Sequence, residues 1–208
     1  IRAGAQGIVL TNAFQTGQSS IRFGGTNDLT IACPFTFDTT RDFGNYSHTA
    51  TLTMAGPFNL GSYTPVFKAV NGAGTNGTTR ITGTVSGTGG LTLDWSYDNG
   101  RVILTASNTY SGNTTVNAGT LTLNHPNAAG TTGAITLGNT GATLELGDGV
   151  TLTRPFTVAD AGNIKTLREW PGASAEYAGA VSVAETTAGY FAITADADSV
   201  LTVSGSIA

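Results

Sequence analysis

Short segments in which apolar and polar residues alternate recur along the whole chain, and this pattern constrains the fold more than any other feature. Leu121-Thr122-Leu123 and Phe156-Thr157-Val158, for example, each place two apolar side chains on one face. Alternation with a period of two residues is the pattern of a half-buried β-strand. Clusters rich in glycine and asparagine, such as Asn117-Ala118-Gly119, separate the segments and suit tight turns. The sequence therefore predicts an all-β protein, and residues 163–170 are its only short helix candidate.

The composition excludes several classes of protein. Charged residues make up only 11% of the 208 residues, which argues against helical bundles and coiled coils. A net charge of −4 argues against a nucleic-acid partner, and no apolar run approaches the ~18 residues of a membrane helix. Membrane insertion is therefore not expected. The single cysteine, Cys33, excludes an internal disulfide, and with two histidines it provides too few ligands for a Cys/His metal site.

The chain also repeats itself at long range. Pro34-Phe35-Thr36-Phe37 matches Pro155-Phe156-Thr157-Val158 at an offset of 121 residues, and Val85-Ser86-Gly87 matches Val203-Ser204-Gly205 at an offset of 118. These matches predict a single β-solenoid over residues 1–208, with about 1.7 copies of a unit of roughly 120 residues. The copy boundaries are expected near 1–125 and 126–208. The start at Ile1, without a signal-peptide pattern, predicts a processed or excised piece.

Two architectures use short alternating strands: a β-sandwich or barrel, and a β-solenoid. The solenoid explains more of the sequence, because small residues recur at similar positions and the repeat shows no hairpin symmetry. In a solenoid each turn contacts only its neighbours, so tandem copying extends the stack without a new core. We therefore favour a parallel β-solenoid, with the β-sandwich as the alternative.

A family resemblance supports this choice. The region from Arg101 to Leu123 contains Asn108-Thr109-Tyr110-Ser111-Gly112, then Thr114-Thr115 and finally Asn117-Ala118-Gly119-Thr120-Leu121. This run closely resembles the autotransporter-associated β-strand repeat. The resemblance implies a right-handed parallel β-helix in a secreted bacterial surface protein, and hence an extracellular or cell-surface location. It is specific for architecture and says little about activity.

The repeat suggests how individual side chains are placed. Leu121 and Leu123 are expected to point into the core, whereas Thr120 and Thr122 are expected to face solvent. The asparagines Asn108, Asn117 and Asn139 are expected at corners, where an amide can bond nearby backbone. We expect Tyr110 to be a packing aromatic.

The function predicted from these features is that of an extracellular structural or adhesive protein. It is not predicted to be an enzyme and needs no cofactor. Because neither end shows an amphipathic cap, we expect self-association through the terminal coils and end-to-end assembly into fibres. The alternatives are a carbohydrate-binding or polysaccharide-degrading β-helix protein and an inert passenger stalk. A solenoid face rich in carboxylates and aromatics would favour the carbohydrate alternative, whereas a face of threonine and asparagine would favour the structural role.

One cluster fits the carbohydrate alternative. Asp94 and Asp98 flank Trp95 and Tyr97, and paired carboxylates are the arrangement used by glycoside hydrolases. These four residues are therefore a candidate site for host or matrix glycans. His48 and His125 have no Ser/Asp or metal-ligand arrangement near them in the sequence and are expected on the surface or in turns.

Overall fold

The computed structural model describes residues 2–3, 8–11, 14–15, 20–47, 49–69, 71–72, 75–94, 100–138, 141–159, 162–184 and 189–208. Within these residues it contains strands and turns but no helix. The strands are β1 Arg2–Ala3, β2 Ile8–Leu10, β3 Phe14–Gln15, β4 Ile21–Gly25, β5 Leu29–Ile31, β6 Phe35–Thr36, β7 Asp42–Asn45, β8 Thr51–Met54, β9 Phe58–Asn59, β10 Val66–Ala69, β11 Asn71–Gly72, β12 Thr75–Asn76, β13 Thr78–Ile81, β14 Val85–Ser86, β15 Leu91–Leu93, β16 Arg101–Leu104, β17 Thr114–Val116, β18 Thr120–Leu123, β19 Ile135–Leu137, β20 Thr143–Leu146, β21 Thr151–Leu152, β22 Phe156–Val158, β23 Asn163–Glu169, β24 Ser174–Tyr177, β25 Val181–Val183, β26 Gly189–Thr194 and β27 Val200–Val203.

These strands form three faces of a solenoid. The first sheet has nine strands in the order β1-β4-β7-β10-β15-β17-β19-β22-β25, and the second has nine in the order β2-β5-β8-β13-β16-β18-β20-β23-β26. The third face is divided between the N-terminal sheet β14-β9-β6-β3 and the C-terminal sheet β21-β24-β27. Neighbouring strands on all three faces pair in parallel, as β16 and β18 do. Among the described residues, β11 and β12 form the one antiparallel pair.

The parallel β-solenoid is therefore confirmed, and the β-sandwich alternative is wrong. A sandwich is built from antiparallel sheets packed face to face, whereas here each strand pairs with the strand one turn earlier. We call one turn a rung. Partner residues of the second sheet lie 19 residues apart at Val102 and Leu121 and 27 apart at Leu52 and Thr79. Insertions therefore enter the loops and leave the ladder in register. The right-handed sense of the winding stays a prediction from the family resemblance.

The core fills the inside of the solenoid along its length. One cluster of buried apolar side chains runs from Phe23 to Val181. Inward-facing residues of the alternating strands form this cluster by stacking on one another in adjacent rungs. Leu121 stacks on Leu144, and Leu144 stacks on Leu167. The predicted inward positions of Leu121 and Leu123 are confirmed, since both are fully buried in this cluster. Cys33 is a free, buried thiol in the same core.

Stacked corners bring backbones into direct contact where glycine recurs. A Cβ atom on Gly83 would overlap the carbonyl group of Gly56 in the preceding rung. A Cβ atom on Gly112 would overlap the backbone of Gly89 in the same way. Glycine is required at these corners because no side chain fits between stacked backbones.

The structure corrects the helix predicted for residues 163–170, because residues 163–169 form strand β23. Its inward residues are Lys165, Leu167 and Glu169. Two of these three carry charges, so the apolar alternation that marks other strands was hidden in the sequence.

The repeat segments do not all occupy equivalent faces. Phe35 lies on the third face, whereas its match Phe156 lies on the first sheet. Val85 and its match Val203 both lie on the third face. The copy boundaries near residues 125 and 126 stay a prediction.

Candidate functional site in the repeat and on the second sheet

The asparagine of the repeat joins three parts of the chain on the third face. The Asn108 side-chain oxygen accepts a hydrogen bond from the Val85 N–H at 2.8 Å. Its amide nitrogen donates to the Ala128 carbonyl at 2.6 Å. Val85 begins β14, the terminal strand of the N-terminal third-face sheet. The Asn108 side chain therefore supplies hydrogen bonds where strand pairing ends, which confirms the expected bonding to nearby backbone.

The tyrosine of the repeat is a core residue. Tyr110 is fully buried, and its hydroxyl lies 2.7 Å from the Thr114 hydroxyl. The Thr114 hydroxyl donates to the Ala129 carbonyl at 3.3 Å, so Tyr110 is the donor to Thr114. Burial raises the pKa of Tyr110 to about 12, because the charged phenolate would lose its hydration. The predicted packing role of Tyr110 is confirmed.

The threonines of the repeat depart from expectation. Thr120 and Thr122 lie on the outer side of the second sheet, as predicted, but only 8% and 0% of their surfaces are exposed. Ile103, the in-register partner of Thr122, is also buried although it lies outside the core cluster. The prediction that these threonines face solvent is wrong: both are buried, and the charged side chains of Arg101 and Glu145 from neighbouring rungs cover Thr122.

Glu145 binds the charged side chains on this part of the sheet. Its carboxylate is fully buried and accepts hydrogen bonds from Arg101 Nη1 at 2.5 Å and from Arg168 Nε at 2.9 Å. The Thr122 hydroxyl donates to the same carboxylate at 2.7 Å. Thr122, Glu145 and Arg168 are in-register partners on successive strands. We call Arg101, Glu145 and Arg168 the arginine cluster. It contains two cations and one anion and so carries an excess positive charge.

The Arg101 end of the cluster has a further contact that holds it in place. The Arg101 guanidinium carbon lies 4.4 Å from the centre of the Trp170 ring, a cation–π contact. Burial lowers the pKa of Arg101, and the neighbouring Glu145 carboxylate opposes that shift. An arginine remains charged under such conditions. The arrangement presents two fixed guanidinium groups, which are suited to oxyanion recognition rather than to proton transfer.

Of the four residues predicted to form a glycan site, only Asp94 lies within the described residues. Asp94 is exposed just after β15, and its carboxylate lies 3.5 Å from the Asn117 side-chain nitrogen. Trp95, Tyr97 and Asp98 lie outside the described residues, so this site stays a prediction. Asn139 and His48 also lie outside them.

His125 belongs to a turn, as expected. Its Nδ1 atom accepts a hydrogen bond from the Asn127 N–H at 3.0 Å. Within the described part of the chain, no three His, Cys, Asp or Glu side chains are grouped to hold a metal ion. The same part contains no helix long and apolar enough to cross a membrane.

The sequence pattern did not predict the arginine cluster. Its members come from β16, β20 and β23, and Arg101 lies 44 residues from Glu145. Because rung length varies, the sequence alone does not show which outward residues stack. The one available signal was the charged residue Glu145 between the apolar residues Leu144 and Leu146 of an alternating strand pattern.

Comparison with known proteins agrees with this architecture. The family model described as the passenger-associated-transport-repeat matches residues 97–123. No curated protein and no solved structure matches the chain significantly. The matched segment includes Asn108, which bonds neighbouring backbone, the buried Tyr110, and Gly112 at a stacked corner. Residues 97–123 thus match the passenger-associated-transport-repeat model, which confirms the resemblance to the autotransporter-associated repeat family, and the β-solenoid that contains them fits an autotransporter passenger domain.

Proposed function

We propose that this chain is a rigid structural segment of a secreted or surface-exposed bacterial passenger. The observation that carries the proposal is the continuous parallel stack, in which two nine-stranded sheets enclose one core cluster. Nine strands spaced at about 4.8 Å give a stack on the order of 40 Å long. A passenger repeat within such a stack suits a protein that spans distance at a cell surface.

The outer face of the first sheet supports a structural role. A column of in-register hydroxyl residues follows five successive rungs: Thr92, Thr115, Thr136, Thr157 and Ser182. These side chains are half-buried or exposed. Threonine stabilises an outward strand position because its branched side chain suits the pleated surface. This column carries no aromatic or carboxylate side chain, which favours the structural role over a polysaccharide-degrading one.

The proposal is tested by lengthening the stack. Arg101 pairs with Thr120, so residues 101–119 form one complete rung that is fully described. We expect that inserting two further copies of this rung after Gly119 lengthens the particle by about 10 Å and preserves its cross-section. Small-angle X-ray scattering measures both dimensions. The matched control is a glycine–serine insert of equal length at the same place, which should form a loop. Loss of folding in the duplicated variant would contradict the proposal.

The proposal extends to adhesion and fibre assembly by contact with a second copy of the chain. Ile193 pairs with the core residue Leu167 and so occupies an inward position, yet 42% of its surface is exposed. Tyr190 and Val200 in the same rung are 58% and 57% exposed. Strands β26 and β27 each have a described partner on one side, and such edges can pair with further strands. A rung from a second copy would cover these groups.

Light scattering across a wide concentration range tests this extension. We expect concentration-dependent assembly that Ile193→Lys weakens at least tenfold, because a buried charge disfavours the contact. Thr136→Lys on the first sheet is the control and should leave assembly unchanged. A particle that remains monomeric at every concentration would support an inert stalk instead.

A further inference from the structure

A cavity of about 280 Å³ lies beside the arginine cluster on the second sheet. Its floor is a row of hydroxyl side chains, Thr120, Thr143 and Thr166, which are in-register partners on adjacent strands. Arg101 and Arg168 border it, and Ile164 adds an apolar side chain that is 42% exposed. The proposed structural role uses none of these cavity-facing groups.

The two arginines retain unused donors. Among the described residues, Arg101 donates through Nη1 to Glu145 and Thr122, and Arg168 donates through Nε to Glu145. Each guanidinium has five N–H groups. The one buried side-chain polar atom without a partner in the described residues is Glu169 Oε2, so the remaining guanidinium N–H groups are open to solvent. The side chains of Arg101 and Arg168 are 17% and 30% exposed.

We propose that this cavity binds a sugar acid, with the sugar's carboxylate at the guanidinium groups of Arg101 and Arg168. A guanidinium fork matches a carboxylate in two parallel hydrogen bonds. The threonine hydroxyls can donate to or accept from sugar hydroxyls, and Ile164 offers an apolar surface to the C–H face of the ring. Ligand pockets usually measure roughly 300–1,000 Å³, and this cavity of about 280 Å³ lies just below that range, which restricts the ligand to about one sugar unit.

The site is organised before any ligand arrives. Glu145 holds both guanidinium groups from beneath, and the Trp170 ring contacts Arg101. Fixing the donors in advance reduces the conformational entropy that binding would otherwise cost. Glu145 balances only one of the two positive charges, which leaves the cavity attractive to a single carboxylate. Neutral sugars lack the group that these donors recognise.

The experiment is an NMR titration of the full chain with sodium D-glucuronate, compared with D-glucose and sodium sulfate. We expect saturable shifts at the cavity residues with glucuronate, and binding at least tenfold weaker with glucose or with sulfate. Arg168→Gln should weaken glucuronate binding by about tenfold or more, because it removes a charged donor. Thr143→Val should weaken it severalfold while it preserves the shape of the side chain.

Thr136→Val on the first sheet is the matched control and should bind glucuronate as the unmodified chain does. Because Arg168→Gln also removes a partner of Glu145, its folding is checked by circular dichroism, and Thr143→Val tests the same cavity without that change. Absence of saturable glucuronate shifts would overturn the proposal. So would equal binding of sulfate and glucuronate, or unchanged glucuronate binding by Thr143→Val. The stack-lengthening experiment is independent of these outcomes.

Discussion

The N-terminal and central rungs close the same third face of the solenoid in different ways. Between β6 and β14 the third face is a ladder of parallel strands, with Phe35 paired to Phe58 and Phe58 to Val85. In the central rungs, residues 105–113 and 124–134 contain no strand. There the Asn108 side chain bonds the backbone of Val85 and of Ala128. The Asn108 side-chain amide thus supplies hydrogen bonds on the face where the N-terminal rungs form a strand ladder.

The two regions also fill their interior differently. Six phenylalanines crowd the N-terminal core: Phe23, Phe35, Phe37, Phe43, Phe58 and Phe67. The Phe35 and Phe58 rings are stacked at a centroid distance of 5.1 Å, and Phe35 meets Phe37 edge-on at the same distance. The central core is formed mainly by leucine, isoleucine and valine, with Tyr110 as the large ring. The N-terminal region therefore depends on aromatic volume, and the central region on a few buried hydrogen bonds.

This difference shows what the passenger repeat contributes. Its polar residues are not a surface site, because Asn108 and Tyr110 are buried. They maintain hydrogen bonding in rungs that lack strands on one face, since buried backbone groups must find partners. The repeat is thus a structural solution for a rung without a third-face strand, here the 19-residue rung between Val102 and Leu121.

The largest effect is expected in the aromatic region. Phe35→Ala should lower the free energy of unfolding by about 3–5 kcal/mol, because it removes a buried ring and leaves a cavity among its neighbours. Guanidinium unfolding followed by circular dichroism measures this change. Phe35→Leu is the matched control and should cost less, since it retains most of the apolar volume. A loss below about 1 kcal/mol would show that the aromatic cluster repacks freely.

A somewhat smaller effect is expected where hydrogen bonds replace the ladder. Asn108→Ala should lower the free energy of unfolding by about 2–4 kcal/mol, since it leaves the Val85 N–H and the Ala128 carbonyl without partners. Asn108→Asp keeps one acceptor but buries a charge, so it should be at least as harmful. Asn117→Ala, at a partly exposed position, should change stability by less than about 0.5 kcal/mol. Equal effects at Asn108 and Asn117 would contradict the assigned role.

Much of this fold was predictable, because its signals are patterns between residues close together in the sequence. Alternation marked Leu121 and Leu123 as core residues, and the repeat marked Asn108 and Tyr110 as structural. The division of the third face into two separate sheets was not predictable. The rungs between those sheets have no strand on this face, so their sequence shows no alternation there. Strand β23 was missed since Lys165 and Glu169 point inward.

The arginine cluster was not predicted, for a different reason. Arg101, Glu145 and Arg168 meet only after several rungs are stacked in register. Rungs of 19 to 27 residues provide no constant period from which that register follows. The burial of Thr122 depends on the same stacking and was missed with it.

The smallest effect concerns the Tyr110 hydroxyl and depends on pH. Tyr110→Phe should cost about 1 kcal/mol at neutral pH, because it removes one buried hydrogen bond. The pKa of Tyr110 is raised to about 12 in the folded protein, whereas an unfolded tyrosine has a pKa of about 10. Above pH ~10 the unfolded chain releases this proton and the folded chain retains it, so stability falls as the pH rises.

The variant should therefore overtake the unmodified protein in strong alkali. Between pH about 10 and 12 the tyrosine contributes a loss of up to about 1.4 kcal/mol per pH unit, and Tyr110→Phe removes that contribution. Urea unfolding at a series of pH values measures the two curves, which we expect to converge and then cross. Tyr177, whose pKa is also raised to about 12, remains in both proteins and cancels in the difference. Curves that stay parallel throughout would show that the Tyr110 hydroxyl ionises as readily in the folded chain as in the unfolded one.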